Sequence, residues 1–403
     1  MAESPESGFE RERAALLEAV DAGAEEILAL ARWMSAHPEL SLEEHRTSAR
    51  YVAYLEARGF RVERACAGMA TAFTARHGRE GAPLRVALLA EMDALPEIGH
   101  ACGHNLSGPA SLLAADALAR MLPPETVDLV VVGCPAEETG VGKRRLVEAG
   151  VFDGLHAAMM AHASDMRRAH RLFLGNAKLE FVYHGRAAHA AAYPEEGVNA
   201  LDAVIQLFVA IGALRQQLAT SARIHGIVTD GGRAPNVIPE RAAARFWIRA
   251  LEDELLEQTV LRVRRCAEGA ATATGTRLEV REGEGTSPPM RPNLPLADSY
   301  RRQLHRLGLE ETPHAPGQAI GSSDITHVSR VVPTIHPNFP IGTQLQLHTR
   351  EFAEATTRPS GEAGLLEAAR ALALTVHELA RRDPVRETVV RAGAAGSGAC
   401  DSA

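Results

Sequence analysis

Residues 84–104 read LRVALLAEMDALPEIGHACGH and join a strand-like apolar run to a dense group of polar side chains. The run at 86–90 is short and bounded by polar residues, which predicts a buried strand. Similar runs follow at 127–132 and 157–161, with helical stretches such as 106–121 between them. Strands that alternate with helices predict an α/β domain built on a mostly parallel, helix-covered sheet.

Beyond residue 178 the order of elements changes and predicts a second domain. Periodicity places the successive elements at 179–183, 199–214, 224–229, 242–248, 252–266 and 277–280. Their order is strand, helix, strand, strand, helix, strand, which is that of a ferredoxin-like α+β unit. The chain is then expected to return to the first domain. We therefore predict a catalytic domain at 1–176 and 289–385, an inserted domain at 177–288 and a disordered tail at 386–403.

The segment before the first of these strands has a pattern that is typical of a helix start. Ser41 is followed three residues later by Glu44, which is the spacing of a capping box. We therefore expect both side chains to cap a helix at 47–58, with Gly59 as its end.

Composition and charge exclude several classes of protein. The chain has 403 residues, 46% of them hydrophobic and 23% charged, so it has enough apolar material to fold unaided. A net charge of −8 with scattered basic residues argues against a nucleic-acid partner. No apolar run approaches the roughly 18 residues of a membrane span, and the acidic N-terminal stretch does not resemble a secretory signal. We expect a cytoplasmic protein with no membrane partner.

Cysteine and histidine usage directs attention to one motif. Five cysteines are too few for a disulfide scaffold, so a functional cysteine is expected to act chemically, and 17 histidines are available as partners. Cys102 and His104 are separated by one glycine, and a thiolate and an imidazole that close can reach one metal ion. Two other interpretations stay open on this motif alone. Cys102 is either buried, with His104 capping a helix, or a nucleophile with His104 as its base.

Further potential ligands follow the next two predicted strands. Glu137 and Glu138 come after the run at 127–132, and His162 follows the run at 157–161. In open α/β sheets ligand-binding groups collect at the carboxyl ends of the strands, where these side chains would meet. Two carboxylates at a metal centre can divide the work, because one binds the metal while the other accepts a proton from water. The sequence therefore predicts a metal site at this edge of the sheet.

The whole chain from about residue 16 to residue 379 resembles the M20 family of metallopeptidases and amidohydrolases, specifically its subfamily D, near the p-aminobenzoyl-glutamate hydrolases. The segments that carry the resemblance are HPELSLEEHRTSA, MDALPEIGHACGHN, PAEETG, GRAAHAAAYPEEGVNALDA, GGRAPNVIPE, GSSDITHVS and VVPTIHP. The resemblance implies a zinc-exopeptidase-like catalytic domain with two divalent metal ions. Zn²⁺ is the expected metal, and Mn²⁺ or Co²⁺ would also suit the ligands.

The resemblance also implies residue roles in the first domain. Glu137 would be the general base. The implied metal ligands are Cys102, His104, Glu138, His162 and His348. Asp93 matches an aspartate that orients a ligand, and Glu91 stands where related enzymes outside the subfamily have a histidine.

The inserted domain resembles the family's lid and dimerisation domain, which implies a homodimer. His189 matches the lid histidine that stabilises the oxyanion, in dimeric relatives at the site of the partner subunit. Asn236 and Arg249 match the pair that holds the substrate's carboxylate or amide, and a planar guanidinium suits a carboxylate. The resemblance implies a metal-dependent amidohydrolase that cleaves an N-acyl amino acid, an aminobenzoyl-glutamate-like compound or a small dipeptide. The alternative is a catalytically silent homologue that binds ligands or acts as a scaffold.

Three other histidines near the predicted site have no assigned reaction role. Relatives usually have Gly-Ser-Thr-Asp followed shortly by Gly-Asn, where this chain has GSSDITH at 321–327. His327 either alters substrate preference, if its loop lines the pocket, or replaces a polar surface residue. His100 and His336 are expected to be structural or to support the ligands.

Overall fold

The computed structural model describes residues 5–313 and 320–397, which form two compact units. The first unit contains residues 5–171, 291–313 and 327–397, and the second contains residues 172–290 and 320–326. The predicted inserted domain at 177–288 falls within the second unit. That unit also includes the segment 320–326, which the sequence pattern assigns to the catalytic domain.

The first unit begins with helices and strands that alternate along the chain. They are α1 (Pro5–Ala36), α2 (His45–Glu56), β1 (Arg61–Arg64), β2 (Phe73–His77), β3 (Leu84–Glu91), α3 (His104–Met121), β4 (Val127–Cys134), α4 (Gly142–Glu148), β5 (Ala157–Met159) and β6 (His162–Ser164). β3 and β4 pair in parallel along their whole length, and nearly all of their residues are buried. Burial on both faces explains why these strands are continuous apolar runs instead of alternating ones.

The second unit is an antiparallel sheet with two helices. Its elements are β7 (Gly175–His184), α5 (Ala200–Leu214), β8 (Arg223–Asp230), β9 (Arg241–Ala250), α6 (Asp253–Thr274) and β10 (Arg277–Glu282). The strand order is β10-β7-β9-β8. Alternate residues such as Leu179 and Phe181 enter a core shared with α5 and α6, because successive side chains of a strand point to opposite faces. The predicted ferredoxin-like order is confirmed.

The remaining elements follow β10 along the chain, and one of them, β11, completes the main sheet of the first unit. They are α7 (Leu294–Arg306), α8 (Ile325–Val328), β11 (Thr334–Ile335), β12 (Asn338–Pro340), α9 (Arg350–Ala355), α10 (Pro359–Arg381) and α11 (Asp383–Ser397). The main sheet has the order β1-β2-β4-β3-β5-β11. The four strands from β4 to β11 are parallel, whereas β2 and β1 are antiparallel additions at one edge, so the mostly parallel sheet is confirmed.

One predicted strand is divided in two. The run at 157–161 was expected to end at His162, but β5 stops at Met159 and β6 starts at His162. β6 leaves the main sheet and pairs in parallel with β12. His162 is therefore the first residue of a new strand, and its backbone N–H donates a hydrogen bond of 2.9 Å to the backbone oxygen of Pro337.

The prediction of a disordered tail from residue 386 is wrong as far as residue 397, because these residues lie in α11. The side chain of Val389 is 1% exposed, and its carbonyl oxygen accepts a hydrogen bond of 2.9 Å from Asn293 Nδ2. Gly393 is so close to Pro333 that a Cβ there would lie 2.5 Å from Cγ of the proline. The small residues of this segment allow close packing. Residues 398–403 of the predicted tail lie outside the described residues.

No helix among the residues that the structure describes is both long enough and apolar enough to cross a bilayer.

Candidate active site

The loop after β3 and the start of α3 place His104 at the centre of the site. Gly103 has a φ of 83°, and a Cβ on it would lie 2.5 Å from Cβ of Ala163. Only a glycine therefore lets α3 begin this close to β6. His104 is completely buried, with Nδ1 at 2.8 Å from the backbone oxygen of Asp93 and 3.2 Å from its Oδ1. These two contacts fix the orientation of the ring.

The other nitrogen of His104 faces carboxylates. Its Nε2 lies 3.3 Å from Glu91 Oε2 and 3.9 Å from Glu137 Oε2. Burial alone would lower the pKa of His104, but Glu91, Cys102 and Asp93 outweigh burial and raise this pKa well above its ordinary value. Among the described residues, neither Nε2 of His104 nor Oε1 of Glu138 has a hydrogen-bond partner, although both atoms are buried. Buried polar atoms of this kind fit groups that bind a metal ion.

Among the described residues of the first unit, two overlapping groups of side chains have donor atoms close enough to hold metal ions. One consists of Cys102, His104 and His162, and the other of Cys102, His104, Glu137 and Glu138, with all donor atoms of each group within 4.8 Å of one another. The mixture of a thiol, imidazoles and carboxylates is a donor set that divalent metals accept. We call these side chains, together with His348, the ligand cluster.

His162 and His348 reach the ligand cluster from distant parts of the chain. His162 Nε2 lies 3.5 Å from Cys102 Sγ, while its Nδ1 lies 2.8 Å from the backbone oxygen of Ala163. A proton on Nδ1 leaves the lone pair of Nε2 free for a metal. His348 Nε2 lies 3.4 Å from Glu138 Oε2, and its backbone, with φ of 64°, donates a hydrogen bond to Ala101. The structure thus brings every predicted ligand and Glu137 together within the first unit.

Asp93 connects the ligand cluster to the loop before α2. Besides its contact with His104, its Oδ2 accepts hydrogen bonds from Ser41 Oγ at 2.8 Å and from the backbone N–H of Glu138 at 3.0 Å. Burial would raise the pKa of Asp93, but the bonds from His104 outweigh burial and lower this pKa. Asp93 therefore holds two predicted ligands with one carboxylate, which is the arrangement expected of a residue that orients ligands.

The predicted capping box is wrong. Helix α2 begins at His45, and neither Ser41 nor Glu44 caps it through a side chain. Glu44 is buried, and its carboxylate accepts hydrogen bonds from the backbone N–H of Ala136 at 2.9 Å and from Thr71 Oγ1 at 2.8 Å. Ala136 has a φ of 58°, so this carboxylate supports the strained turn that presents Glu137 and Glu138. Both residues serve the site, not the helix.

A buried ion pair borders the ligand cluster and was not predicted. Lys143, on α4, is 0% exposed, and its Nζ lies 2.6 Å from Oε1 of the equally buried Glu91. Burial would raise the pKa of Glu91, but Lys143 and then His104 hold this pKa well below its usual range. Glu91 therefore stays ionised beside His104. The sequence around Lys143 reads GKRR, which is typical of a solvated helix start and carries no signal of burial.

His100 and His336 are both buried neutral imidazoles. Burial lowers the pKa of His100 to about 3 and that of His162 to about 4. The ring of His336 stacks on that of His162, with centroids 5.2 Å apart. Burial also puts the pKa of His336 well below its ordinary value. These positions agree with a supporting role for His336, whereas His327 lies partly buried in α8 with no function indicated by its position.

The environment of Cys102 does not favour a nucleophile. The thiol is buried, and burial, followed by Glu138, raises the pKa of Cys102 well above its ordinary value. A reactive cysteine needs a depressed pKa, because the thiolate is the attacking species. A cysteine that binds a metal meets no such difficulty, since a coordinated thiol loses its proton outright.

The predicted residues of the inserted domain lie in the second unit. The backbone of Ala190 donates a hydrogen bond of 3.1 Å to that of Asn236, so the exposed residues His189 and Asn236 stand on adjacent segments. His189 Nδ1 accepts hydrogen bonds from the backbone N–H groups of Ala191 and Ala192 at 3.3 and 3.2 Å. With Nδ1 accepting, the ring proton lies on Nε2, which is left to donate a hydrogen bond. Arg249 is half-buried on β9, a different element from the segments that carry His189 and Asn236.

Comparisons with known proteins agree on one family. Residues 174–274 match the model of the peptidase dimerisation domain found in M20 proteins. The Xaa-Arg dipeptidase of Mus musculus is 37% identical over 391 residues, which cover 92% of this chain and 90% of the relative. One of the two p-aminobenzoyl-glutamate hydrolase chains of Escherichia coli is 34% identical over 73% of this chain and 65% of its own length. The fold is similar to that of a dinuclear metal-binding M20 peptidase of Bacillus subtilis, with a TM-score of 0.69, 22% identity, and coverage of 89% of this chain and 99% of that one.

Proposed function

Because this chain belongs to the M20 family and is therefore a hydrolase, we propose that it is a metal-dependent amidohydrolase. Its substrate is an N-acyl amino acid, an aminobenzoyl-glutamate-like compound or a small dipeptide. The observation that carries this proposal is the convergence of a thiol, an imidazole and two carboxylates within 4.8 Å, one of the carboxylates being that of Glu137. Sequence relatives at 37% and 34% identity, an Xaa-Arg dipeptidase and an aminobenzoyl-glutamate hydrolase chain, support the cleavage of an amide bond.

The ligand cluster would hold two divalent metal ions. Cys102, His104, Glu138, His162 and His348 are the proposed ligands, and Asp93 orients His104 and the backbone of Glu138. A thiolate with imidazoles favours Zn²⁺, while the carboxylates also suit Mn²⁺ or Co²⁺. When bound, such ions supply Lewis acidity toward the amide carbonyl and toward water.

Glu137 is the proposed general base. Its side chain is 11% exposed, so it borders the buried ligands and still reaches solvent. The turn at Ala136, held by Glu44, fixes the direction in which Glu137 points. In the reaction the carboxylate of Glu137 accepts a proton from the attacking water. It then delivers that proton to the nitrogen of the leaving amine.

The second unit supplies groups that bind and stabilise the substrate. The outward-facing Nε2–H of His189 donates to the carbonyl oxygen as negative charge develops on it, which is worth a few kcal/mol (~3) in comparable sites. Arg249 binds a carboxylate of the substrate with its planar guanidinium, and Asn236 adds an amide donor. A backbone hydrogen bond from Ala190 to Asn236 holds the segments that carry these two donors side by side.

The second unit is also the proposed dimerisation surface. β8 is an edge strand of its sheet and exposes Ile227, which is 62% accessible. Helix α5 exposes Ile205 and Val209, four residues apart on one helical face and 53% and 68% accessible. An unpaired strand edge and an exposed apolar stripe are the features that a second copy of the chain would cover. Sedimentation velocity on Val209→Glu, against the exposed-charge control Glu254→Gln, tests this: only the first variant should shift toward monomer.

The activity is tested by incubating the purified protein with a panel of N-acyl amino acids and dipeptides while its metal content is measured. We expect hydrolysis of at least one class of amide, its loss after removal of metal by a chelator, and its recovery when metal is restored. Full metal occupancy without turnover of any amide would favour a silent homologue. Activity that survives complete metal removal would favour a cysteine nucleophile.

A further inference from the structure

The open face of the sheet in the second unit carries basic side chains around one tryptophan. In the strand register Lys178 of β7 and His225 of β8 lie on either side of Trp247 in β9. Lys178 Nζ is 4.7 Å from the centroid of the Trp247 ring, the guanidinium carbon of Arg249 is 5.4 Å from it, and the His225 ring is 5.9 Å from it. We call these four residues the Trp247 cluster.

The Trp247 cluster does not belong to the core of the second unit. The residues that alternate with it, Phe246 and Ile248, are completely buried against α5 and α6. Since a strand points successive side chains to opposite faces, Trp247 and Arg249 lie on the face away from these helices. Lys178, Trp247 and Arg249 are each partly accessible, and His225 is exposed. A ligand can therefore reach the cluster.

The two cations of the cluster are not compensated by the fold. Within the described residues, no carboxylate oxygen lies within ion-pair distance of Lys178 or Arg249. Arg249 donates from Nη1 to Ser322 Oγ at 3.1 Å, and its buried Nε has no hydrogen-bond partner among those residues. Burial and then Arg249 lower the pKa of Lys178, and burial lowers that of Arg249. Two like charges held side by side without a counterion attract an anion.

A neighbouring arginine on the same face shows that the lack of compensation is local. Arg245, two residues before Trp247, lies opposite Glu180 in the register and 3.5 Å from its carboxylate. The same Glu180 carboxylate also lies 3.6 Å from Arg281. Glu180, the acidic residue nearest to Lys178 on β7, is thus already paired with Arg245 and Arg281. The sheet face is neutralised at one end and positive at the other.

We propose that Lys178 and Arg249 together form a subsite for a dicarboxylate, so that this chain prefers amides whose leaving amino acid is acidic. This inference rests on the proposed function, in which Arg249 binds one carboxylate of the substrate. A single carboxylate would leave one cation uncompensated, whereas an aspartate or glutamate residue supplies a second carboxylate for Lys178. Lys178 is then a specificity-determining residue, and the indole of Trp247 is the apolar floor that holds both cations in place.

Kinetics on paired substrates test the subsite. N-acetyl-glutamate and N-acetyl-glutamine differ only in the charge of the side chain, so the ratio of their kcat/KM values isolates the second carboxylate. Since a hydrogen bond to a charged group contributes about tenfold or more, we expect wild type to favour the glutamate compound by about that factor. Lys178→Met should abolish the preference, mainly through KM, and Lys178→Arg should restore much of it. The matched control Arg245→Met removes a compensated cation from the same face and should keep the ratio.

A binding measurement separates this inference from the proposed function. The chain contains two tryptophans, so Trp33→Phe leaves Trp247 as the fluorescent reporter, and Glu137→Gln prevents turnover. In this double variant N-acetyl-glutamate should change the emission and bind at least about tenfold more tightly than N-acetyl-glutamine or N-acetyl-arginine, an advantage that Lys178→Met removes. Equal binding of the three, or preference for the arginine compound, overturns the subsite even if the enzyme hydrolyses amides. Preferential binding without any hydrolysis by the Glu137-containing protein overturns the proposed function and leaves the subsite standing.

Discussion

The ligand cluster and the Trp247 cluster treat charge in opposite ways. Beside the ligand cluster, Lys143 Nζ lies 2.6 Å from Glu91 Oε1, and both side chains are inaccessible to solvent. In the second, Lys178 and Arg249 stand together with no carboxylate at ion-pair distance in the part of the chain that the structure describes. Buried charges must be paired, and the fold itself pairs those of the first region. For the partly accessible cations of the second region, the proposed partner is a ligand. Changes in the first should affect chemistry, metal and stability, and changes in the second should affect the choice of substrate.

The largest effect is expected at Glu137. Glu137→Gln keeps the shape of the side chain but cannot accept a proton, so kcat should fall by about 10²–10⁴-fold, the usual contribution of a positioned base. Metal content, measured by elemental analysis, should remain that of wild type, because the proposed ligands are unchanged. Glu148→Gln, on the exposed end of α4, is the control and should leave kcat unchanged. Substantial hydrolysis by the Glu137 variant would show that the base lies elsewhere.

Lys143 is expected to have the largest effect on stability. Lys143→Met leaves the Glu91 carboxylate buried without its cation, which should lower the free energy of unfolding by about 3–5 kcal/mol. The neighbouring Arg144→Met breaks only an exposed pair with Glu148 and should cost less than about 1 kcal/mol. Urea denaturation of both variants measures the difference.

The double variant Glu91→Gln with Lys143→Met sharpens the comparison between compensated and uncompensated charge. Without a buried carboxylate the lost cation matters less, so the double variant should recover a good part of the stability lost in Lys143→Met. If Lys143→Met is as stable as wild type, then the charges of this region are not mutually compensated, and the contrast with the Trp247 cluster fails.

A smaller effect is expected at Asp93, which holds His104 and the backbone of Glu138. Asp93→Asn removes the charge that contacts these two proposed ligands and should weaken metal binding by about 10–100-fold, as seen when such supporting residues are changed. Ser41→Ala removes only one hydrogen bond to Asp93 and should weaken metal binding less than Asp93→Asn does. Competition with a chelator of known affinity gives both values. Equal metal affinity in Asp93→Asn and wild type would mean that the ligands are oriented by packing alone.

The part of the site that the sequence could predict is the part that follows the strands. Glu137 and Glu138 come directly after the apolar run of β4, so the rule that ligand groups collect at strand ends places them without knowledge of contacts. The distant His348 could not be reached by that rule, because it follows no predicted strand, and it was assigned from family resemblance alone. His348 lies in a loop and itself has a positive φ of 64°. In this conformation its Nε2 comes within 3.4 Å of Glu138 Oε2.

The supporting residues escaped prediction because local patterns do not report tertiary partners. Ser41 and Glu44 have the spacing of a capping box, yet both are taken by groups far along the chain, Asp93 and Ala136. Lys143 lies in a basic run that is typical of a solvated surface, but Glu91 holds it in the interior. Likewise the small residues near Gly393 were interpreted as a disordered tail, whereas they permit close packing on Pro333. In each case a long-range contact overrides a local preference.

The smallest predicted effect concerns pH and separates the two clusters once more. Burial and Arg249 lower the pKa of Lys178 from its ordinary value of 10.5, so its ammonium is lost at a lower pH than that of a free lysine. The charged form exists below this pKa, and therefore the preference for N-acetyl-glutamate over N-acetyl-glutamine should decline as pH rises from about 7 to about 10. His225, whose pKa burial lowers, is already neutral there, and the Arg249 guanidinium stays charged, so Lys178 is the group of the cluster that titrates.

The ratio of the two kcat/KM values cancels ionisations of Glu137 and of the ligand cluster, because both substrates share them. Lys178→Arg keeps a guanidinium that stays charged throughout this range, so its ratio should remain flat where that of wild type falls. A ratio that declines equally in wild type and in Lys178→Arg would place the titrating group outside the Trp247 cluster. The second carboxylate would then be recognised by something other than Lys178.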